Sequence, residues 1–592
     1  MNAKQKLRLR LIGVLILCGA AALVVSLYIT QIEKGATYVA KADKQYVKPA
    51  VTLFDRGTIF LQSKDGTNVA GATVSEGYLV YMNPSVVVAP DQTFQVISQY
   101  IKLDHADFLR RAGKTGDHYE ELAHHVTADV AQSIGSLGIT GIGVSREIWR
   151  SYPGGEMSAQ TIGLISQSKN VSTSSEISGA ISGTGGGSAT DPLVVGHYGL
   201  ERSYEDVLSR PSISSSANMF AQIFSGIGQT LVGSNAKGKG NIVTTLEPTV
   251  DSFVEKTLEQ AVSTWHPDEI GGIVMDPQTG DVIAAVSLPS FDPNDTASVK
   301  DVRVFSDPLV ENVYEMGSIM KPLTMSVGLD TGVITPDSTY NDTGTMTLNS
   351  KRISNYDGKA RGVIPMQQIL SQSLNVGAAT VALKAGATAM YSYFNSFGFG
   401  HKSGVDLPNE ATGLIGNLKS GKDIDVATAS YGQGLAVSPL QMIRALSVLA
   451  DNGYLVQPRL VKEIDYDDGT VKTIDPVKVG PVLKKKTVED VTTMLVKVVD
   501  TALVQGAKKR DNYSVAAKTG TAQIADHVHG GYYSDRYLHS FFGYFPAYNP
   551  RYIIFLYQVW PKGAEYASAT LTDPFDQIVG FLINYYNIPP DR

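Results

Sequence analysis

The stretch Glu315-Met316-Gly317-Ser318-Ile319-Met320-Lys321-Pro322-Leu323-Thr324-Met325 decides how the chain is read, and an apolar helical pattern continues from it to about residue 329. Proline is tolerated in the first turn of a helix, so Ser318 is expected at or just before a helix N-terminus. Lys321 then lies at i+3, one turn on and on the same face. A serine hydroxyl is a weak nucleophile at neutral pH and needs an adjacent base. A lysine serves when desolvation and a second cation depress its pKa. The positive end of the helix also suits a developing oxyanion. S-x-x-K alone is a weak signal, because residues 166–169 and 234–237 match it too, in Ser- and Gly-rich stretches without a helix start.

Two further motifs follow in order. Ser373-Leu374-Asn375 lies in a helical region and offers a hydroxyl for proton relay and an amide to orient Lys321. Lys518-Thr519-Gly520-Thr521 lies in the strand-like run 513–524. There Lys518 is the second cation, Thr519 and Thr521 can hold a carboxylate, and Gly520 admits close backbone approach. Such a strand can take up an extended peptide by strand addition. S-x-N recurs at 168–170 and 216–218, and K-T-G at 114–116. The signal is the ordered set, each member on its required element.

Working outward, 246–265 reads as a helix, and 271–275 and 281–287 as strands around the turn Asp276-Pro277-Gln278-Thr279-Gly280. Residues 318–500 are mostly helical in pattern. The runs 513–524, 540–545 and 552–559 read as antiparallel strands with short connections. A closing helix is expected over 572–586, with Thr572 as its cap and Pro574 in the first turn. Strands at both ends with helices between give one α+β domain over 241–592.

Upstream, strand-like runs (77–81, 85–89) mix with a helix-like one (119–137). Residues 166–191, rich in Ser, Thr and Gly, read as a flexible insertion, and so does 205–240. Within the second, Phe220, Ile223, Phe224, Ile227 and Leu231 form a helical stripe. It is either a helix packed on its own domain or an element docking on a membrane or partner.

At the N-terminus, Lys4, Lys6, Arg8 and Arg10 precede an uncharged apolar run over 11–29. At about 1.5 Å per residue it spans about 28 Å, close to a bilayer core. The expected layout is a cytoplasmic tail (1–10), a transmembrane helix (11–31), an exported pedestal (32–240) and the 241–592 domain outside. A cleaved signal peptide with its small-residue site at Ala20 and Ala22 is the alternative. The charge balance, 50 Lys+Arg against 57 Asp+Glu in 592 residues, argues against nucleic-acid binding. A hydrophobic fraction of 43% excludes wholesale disorder. The single cysteine, Cys18, excludes an intrachain disulfide or a Cys-rich metal site.

These residues resemble the penicillin-binding transpeptidases, acyl-transfer enzymes of bacterial cell-wall synthesis. Asp55-Arg56-Gly57-Thr58-Ile59 resembles the Arg-Gly box that opens class B members. Residues 150–153 and 199–204 (GLERSY) are similar to later boxes of the family's pedestal. Residues 275–285, 289–294 (PSFDPN), 409–413, Gly432-Gln433-Gly434 and 543–546 match further landmarks. Residues 30–240 carry none of the acidic glycosyltransferase motifs of class A, so class B is the better match. Asn375, Phe397-Gly398-Phe399-Gly400 and 404–413 (GVDLPNEATG) resemble the septal, cell-division branch. Met316 stands where proline is usual and Leu374 where a second serine is common; neither departure removes a reacting group.

The resemblance implies a penicilloyl-serine transferase fold: an antiparallel sheet flanked by helices, with an all-helical subdomain, joined to an α+β pedestal. It implies that Ser318 attacks the penultimate D-Ala carbonyl of a D-Ala-D-Ala stem peptide, with Lys321 as base. Backbone N–H groups of Ser318 and Thr521 would form the oxyanion hole. Ser373 would relay the proton and Asn375 orient the group, while Lys518, Thr519, Gly520 and Thr521 bind substrate. β-Lactams would acylate Ser318. No cofactor or metal is implied, and His527 and His529 are expected to be loop histidines. The implied partner is a membrane-embedded glycan polymerase, and the implied location the bacterial inner membrane. An elongation-type role, a D,D-carboxypeptidase or β-lactamase, and a catalytically quiet division scaffold remain as alternatives.

Overall fold

The computed structural model describes residues 55–168, 193–210, 238–526 and 528–592, with Leu23, Tyr28 and Lys34. The expected transmembrane helix apart from Leu23 and Tyr28, the apolar stripe over 219–232 and most of both insertions lie outside the described residues. Among the described residues, no helix is long and apolar enough to cross a membrane. The chain divides into two compact units, one holding Ser75–Trp149 and the other Arg56–Val74, Arg150–Pro211 and Ile227–Arg592.

The smaller unit is a curled antiparallel pairing with helices on it. Tyr78–Met82, the end of the strand Asn68–Met82, pairs with Glu120–Val126. Val80, Val126, Ala131 and Ile134 make one small core, and Met82, Phe108 and Ala112 another. The expected helix over 119–137 is instead a strand followed by the helix Ala128–Ser136. Pairing with Tyr78–Met82 overrides the local pattern there, as tertiary context does for marginal strands. The expected strand at 85–89 is a turn, in which the Asn83 side chain accepts from the Ser85 N–H at 3.1 Å.

In the larger unit a five-stranded antiparallel sheet organises the fold. Its strands are β1 (Glu269–Met275), β2 (Val282–Leu288), β3 (Ala516–Ala525), β4 (Tyr532–Phe545) and β5 (Tyr552–Val559), in the spatial order β3-β4-β5-β1-β2. Both faces are covered, which explains why the central strands read as continuous apolar runs. On one face Phe541, Phe545, Ile554 and Leu556 pack against Val250, Val254 and Leu258 of α1 (Pro248–Trp265). On the other, Phe542, Tyr544, Ile553 and Phe555 join the core of the helical part, with Met320 and Leu323. The helices α2 (Lys321–Asp330) and α3 (Asn375–Ala385) lie in that part. The chain closes with α4 (Thr572–Tyr585) against the first face.

Three details differ from expectation. Thr572 does not cap α4: Leu571 precedes the helix, and the Thr572 hydroxyl donates back to the Ser568 carbonyl at 2.8 Å. The strand Ile165–Ser168, paired with Leu193–Gly196, takes the first residues of the stretch read as an insertion from 166. The region 318–500 is not only helical, since Thr345–Leu348 pairs with Lys351–Ser354, and Thr339–Asp342 with Gly362–Pro365. The first hairpin turns on Asn349-Ser350, at φ 45° and 63°, a two-residue left-handed turn that Asn-Ser signals less clearly than Asn-Gly.

The pedestal's root belongs to this larger unit. Ile59–Gln62 pairs in parallel with Gly240–Thr244, which pairs antiparallel with Val461–Tyr466. The three boxes read far apart in sequence meet in one buried cluster. Glu201, with no exposed side-chain surface, accepts from Arg56 Nε at 2.6 Å and from Arg150 Nε at 2.7 Å. Glu205 takes the Arg56 Nη2 at 2.7 Å. Two buried carboxylates join the turn at 158–162 to the catalytic body. Ser158 Oγ donates to Asp251 at 2.8 Å, and Thr161 Oγ1 to Asp307 at 3.1 Å. Burial pushes their carboxyls up to about 7 and about 6 respectively.

Candidate active site

Ser318 sits in a 3-10 turn, Gly317–Met320, that runs directly into α2, with Pro322 in the first turn of the α-helix. The short turn keeps Ser318 and Lys321 on one side, and Lys321 Nζ lies 2.9 Å from Ser318 Oγ. Ser373 ends the turn before α3 in the left-handed region, at φ 56°. That conformation is costly for a non-glycine residue and is a mark of functional positions. It aims both oxygens of Ser373 at Lys321 Nζ, the carbonyl at 2.6 Å and Oγ at 3.2 Å. Asn375, the first residue of α3, accepts from Lys321 Nζ at 2.8 Å. Lys518, from β3, donates to Ser373 Oγ at 3.1 Å and to the Thr519 carbonyl at 2.8 Å. The three sequence motifs therefore converge on one hydrogen-bonded group in which Ser373 Oγ touches both lysines.

The electrostatics are set by burial. Lys321 has no exposed surface and, among the described residues, no carboxylate partner; desolvation, then the nearby charge of Lys518, holds its pKa well below the usual lysine value. Lys518 is pushed down to about 7 by burial. Neutral Lys321 has two hydrogens, which match the Ser373 carbonyl and Asn375 Oδ1, and one lone pair, which faces the Ser318 hydroxyl. The arrangement suits proton removal from Ser318.

Ser318, Ser373, Asn375, Lys518, Thr519 and Thr521 line one cleft of about 830 Å³. Gly520 does not line it. A Cβ at position 520 would lie 2.3 Å from Ser540 Oγ and 2.7 Å from the Met316 carbonyl oxygen. The packing of β3 against the Ser318 turn thus itself requires a glycine at 520. Gly432 has a similar duty: its carbonyl accepts from the Gly317 N–H at 3.1 Å, and a Cβ there would lie 2.2 Å from the Gly317 carbonyl oxygen.

Several supporting residues escaped the sequence reading. Asn355 donates to Asp342 and accepts from the Val376 N–H at 3.1 Å, while the Ser354 carbonyl accepts from Asn375 Nδ2 at 3.0 Å; together they fix the start of α3. Glu315 accepts from the Gly434 N–H at 2.9 Å and the Tyr532 hydroxyl at 3.1 Å, joining the Gly432–Gly434 loop to the start of β4. His539 lies opposite Thr521 across β3 and β4. Fully buried, it is held neutral, its pKa pushed down to about 4 by burial. Its ring meets Thr570 Oγ1 at 2.8 Å and donates from Nε2 to the Glu565 carbonyl at 3.1 Å. Thr521 Oγ1 accepts from the Ala567 N–H at 3.1 Å, so both residues brace the 565–570 segment at the cleft's rim. Of these, only Gly432-Gln433-Gly434 carried a sequence signal, as a family landmark. His529 pairs with Asp526 at 2.9 Å, and His527 lies outside the described residues. Among the described residues, no group of three or more potential ligands gathers for a metal.

Known proteins resemble the chain over most of its length. Residues 270–579 match the penicillin binding protein transpeptidase domain, and residues 55–212 the penicillin-binding protein dimerisation domain. The stage V sporulation protein D of Bacillus subtilis is 25% identical over 531 residues, covering 88% of this chain and 76% of its own. The peptidoglycan D,D-transpeptidase FtsI of Buchnera aphidicola is 25% identical over 508 residues, covering 85% and 82%. The crystal structure of penicillin binding protein 3 from Mycobacterium tuberculosis, complexed with aztreonam, superposes with a TM-score of 0.66 at 23% identity, covering 91% of this chain and 98% of its own. With the dimerisation domain in front of the transpeptidase domain and the three motifs in one cleft, the chain belongs to the class B penicillin-binding proteins.

Proposed function

We propose that the chain is a serine-type peptidoglycan D,D-transpeptidase working through an acyl-enzyme on Ser318. The observation that carries this reading is the buried, carboxylate-free Lys321 within 2.9 Å of the Ser318 hydroxyl. Neutral Lys321 takes the Ser318 proton as Oγ attacks the penultimate D-Ala carbonyl. The oxyanion that forms is held by the backbone N–H groups of Ser318 and Thr521; one such donor supplies about 3–4 kcal/mol of transition-state stabilisation. The peptide bond then breaks. Ser373, between the two lysines, passes a proton to the departing D-Ala amine. Lys518, Thr519 and Thr521 hold that residue's carboxylate until it leaves. An amine of a neighbouring stem next attacks the acyl-Ser318 carbonyl, gives up its proton through the same group and restores the serine hydroxyl. β-Lactams enter the first half of this sequence and stay as the acyl-enzyme.

The site acts in septal wall synthesis, tethered by a transmembrane helix over 11–31 with the catalytic unit outside the inner membrane. Asn375, Phe397-Gly398-Phe399-Gly400 and the likeness to relatives named FtsI and stage V sporulation protein D support the septal role. The cationic N-terminus before the uncharged run supports the anchor. A membrane-embedded glycan polymerase is the partner that would supply strands to be cross-linked.

The test supplies purified full-length chain with a D-Ala-D-Ala donor peptide and an amine acceptor. Formation of the cross-linked dipeptide product with release of D-Ala supports transpeptidation. Release of D-Ala with hydrolysed donor alone would favour a carboxypeptidase. A functional fluorescent fusion confined to the sidewall, without midcell enrichment, would refute the septal role.

A further inference from the structure

The charged side chains lining the cleft are Arg352, Lys518 and Glu565. Lys518 is engaged at Ser373, and the Glu565 carboxylate, next to the Tyr566 hydroxyl, is the one anion among the described lining residues. Arg352 is exposed, and its guanidinium has no hydrogen bond or ion pair among the described residues. Its position is nevertheless fixed. It lies on the strand Lys351–Ser354, where Ile353 is buried and holds the hairpin to the core, so alternation puts Arg352 and Ser354 on the other face. The Ser354 carbonyl is bound by Asn375 Nδ2 at 3.0 Å. Two residues along a strand is about 7 Å, so Arg352 springs from a backbone pinned by the site's own asparagine.

The neighbouring cations have other duties. Arg361 is clamped by Asp357 at 2.8 and 2.9 Å and reaches Gln372 at 3.2 Å. Lys351 alternates away from Arg352. The cleft, at about 830 Å³, is of the size that holds a drug-sized ligand, so it accommodates more than two terminal alanines. A pinned strand carrying a guanidinium with all its donors free, in the wall of a cleft that binds a peptide, is arranged to receive a planar anion by two parallel hydrogen bonds.

We propose that Arg352 forms a second anion subsite of the cleft, taking a free carboxylate carried by the donor peptide upstream of its D-Ala-D-Ala terminus. The proposal rests on the transpeptidase reading and adds to it a preference among donors. A carboxamide at the same place is neutral and loses the charge-assisted pair. Because the contact is remote from the reacting carbonyl, the preference belongs in KM rather than kcat.

The test uses the purified full chain and two donor peptides of one sequence, one with the upstream carboxylate free and one with it amidated. Wild type is expected to favour the acid by about tenfold in kcat/KM, mainly through KM. R352Q should bring the ratio to about one, R352E should invert it, and R352K should keep part of it. Fluorescent penicillin labelling of each variant reports that Ser318 is still assembled. Equal use of both donors by wild type, or an acid preference that persists in R352Q, overturns the subsite while leaving the transpeptidase reading intact. A wild type that takes no penicillin overturns both.

Discussion

Lys321 and Lys518 are both buried and both reach Ser373 Oγ, so each charge is costly and each raises the cost of the other. The proposed mechanism needs Lys321 neutral to take a proton and Lys518 charged to hold a carboxylate. The acylation rate of the free enzyme should therefore be bell-shaped in pH, its acid limb set by Lys321 and its alkaline limb by Lys518, near 7. Lys518→Arg should retain an acid limb and lose the alkaline one, because arginine does not deprotonate in this range. Lys321→Arg should lower penicillin acylation by at least about a thousandfold, since it cannot serve as a base. Stability follows the same titration. The Lys518 pKa is about 7 in the native state against 10.5 as the ordinary value. Between these limits the unfolded chain binds a proton that the native state lacks, so stability rises with pH across this window. Lys518→Met should raise Tm at pH 6, by on the order of a few kcal/mol in stability, with the gain fading by about pH 10. No gain at pH 6 would contradict the burial argument. At this scale the sequence was most legible, because the residues that join in this hydrogen-bonded group, namely Ser318, Lys321 and Lys518, belong to local motifs. Gly520 was the exception: the contact that requires it comes from Met316 and Ser540, distant in sequence.

Elements hold these residues to a fraction of an ångström, and the strongest constraints are backbone against backbone. Gly432→Ala places a methyl 2.2 Å from the Gly317 carbonyl oxygen, so the nucleophile's turn must shift. A roughly hundredfold loss of acylation is expected, with the far-UV spectrum and Tm changed little. His539 holds the 565–570 segment by two hydrogen bonds, each costing about 1–3 kcal/mol when a buried partner is left unsatisfied. His539→Ala should raise KM for peptide donor more than it lowers kcat, and His539→Gln should restore part of the loss; an unchanged KM would remove this positioning role. Helices and central strands were legible from apolar patterning. The missed elements, such as the hairpin on Asn349-Ser350 and the strand Glu120–Val126, are short and depend on a partner segment. His539 was invisible for the same reason, as a single histidine in an apolar strand carries no spacing signal.

Across the larger unit, one buried cluster ties boxes that lie about 150 residues apart: Arg56, Arg150 and Glu201. Removing the shared carboxylate leaves the buried Arg150 guanidinium without a carboxylate and Arg56 with Glu205 alone, so Glu201→Ala should cost about 3–5 kcal/mol, read as a fall in Tm of the purified chain. The boxes were visible in sequence as family landmarks, whereas their convergence required the fold. The strand Gly240–Thr244 joins Ile59–Gln62 to Val461–Tyr466 through pairings no local pattern encodes. On the proposed mechanism the whole arrangement presents one serine. The most direct measurement is the mass of the purified full-length chain after exposure to benzylpenicillin, followed by mapping of the modified peptide. The account predicts one adduct per chain, carried by Ser318 and absent in Ser318→Ala. An unmodified wild type, or an adduct that persists in Ser318→Ala, would contradict it.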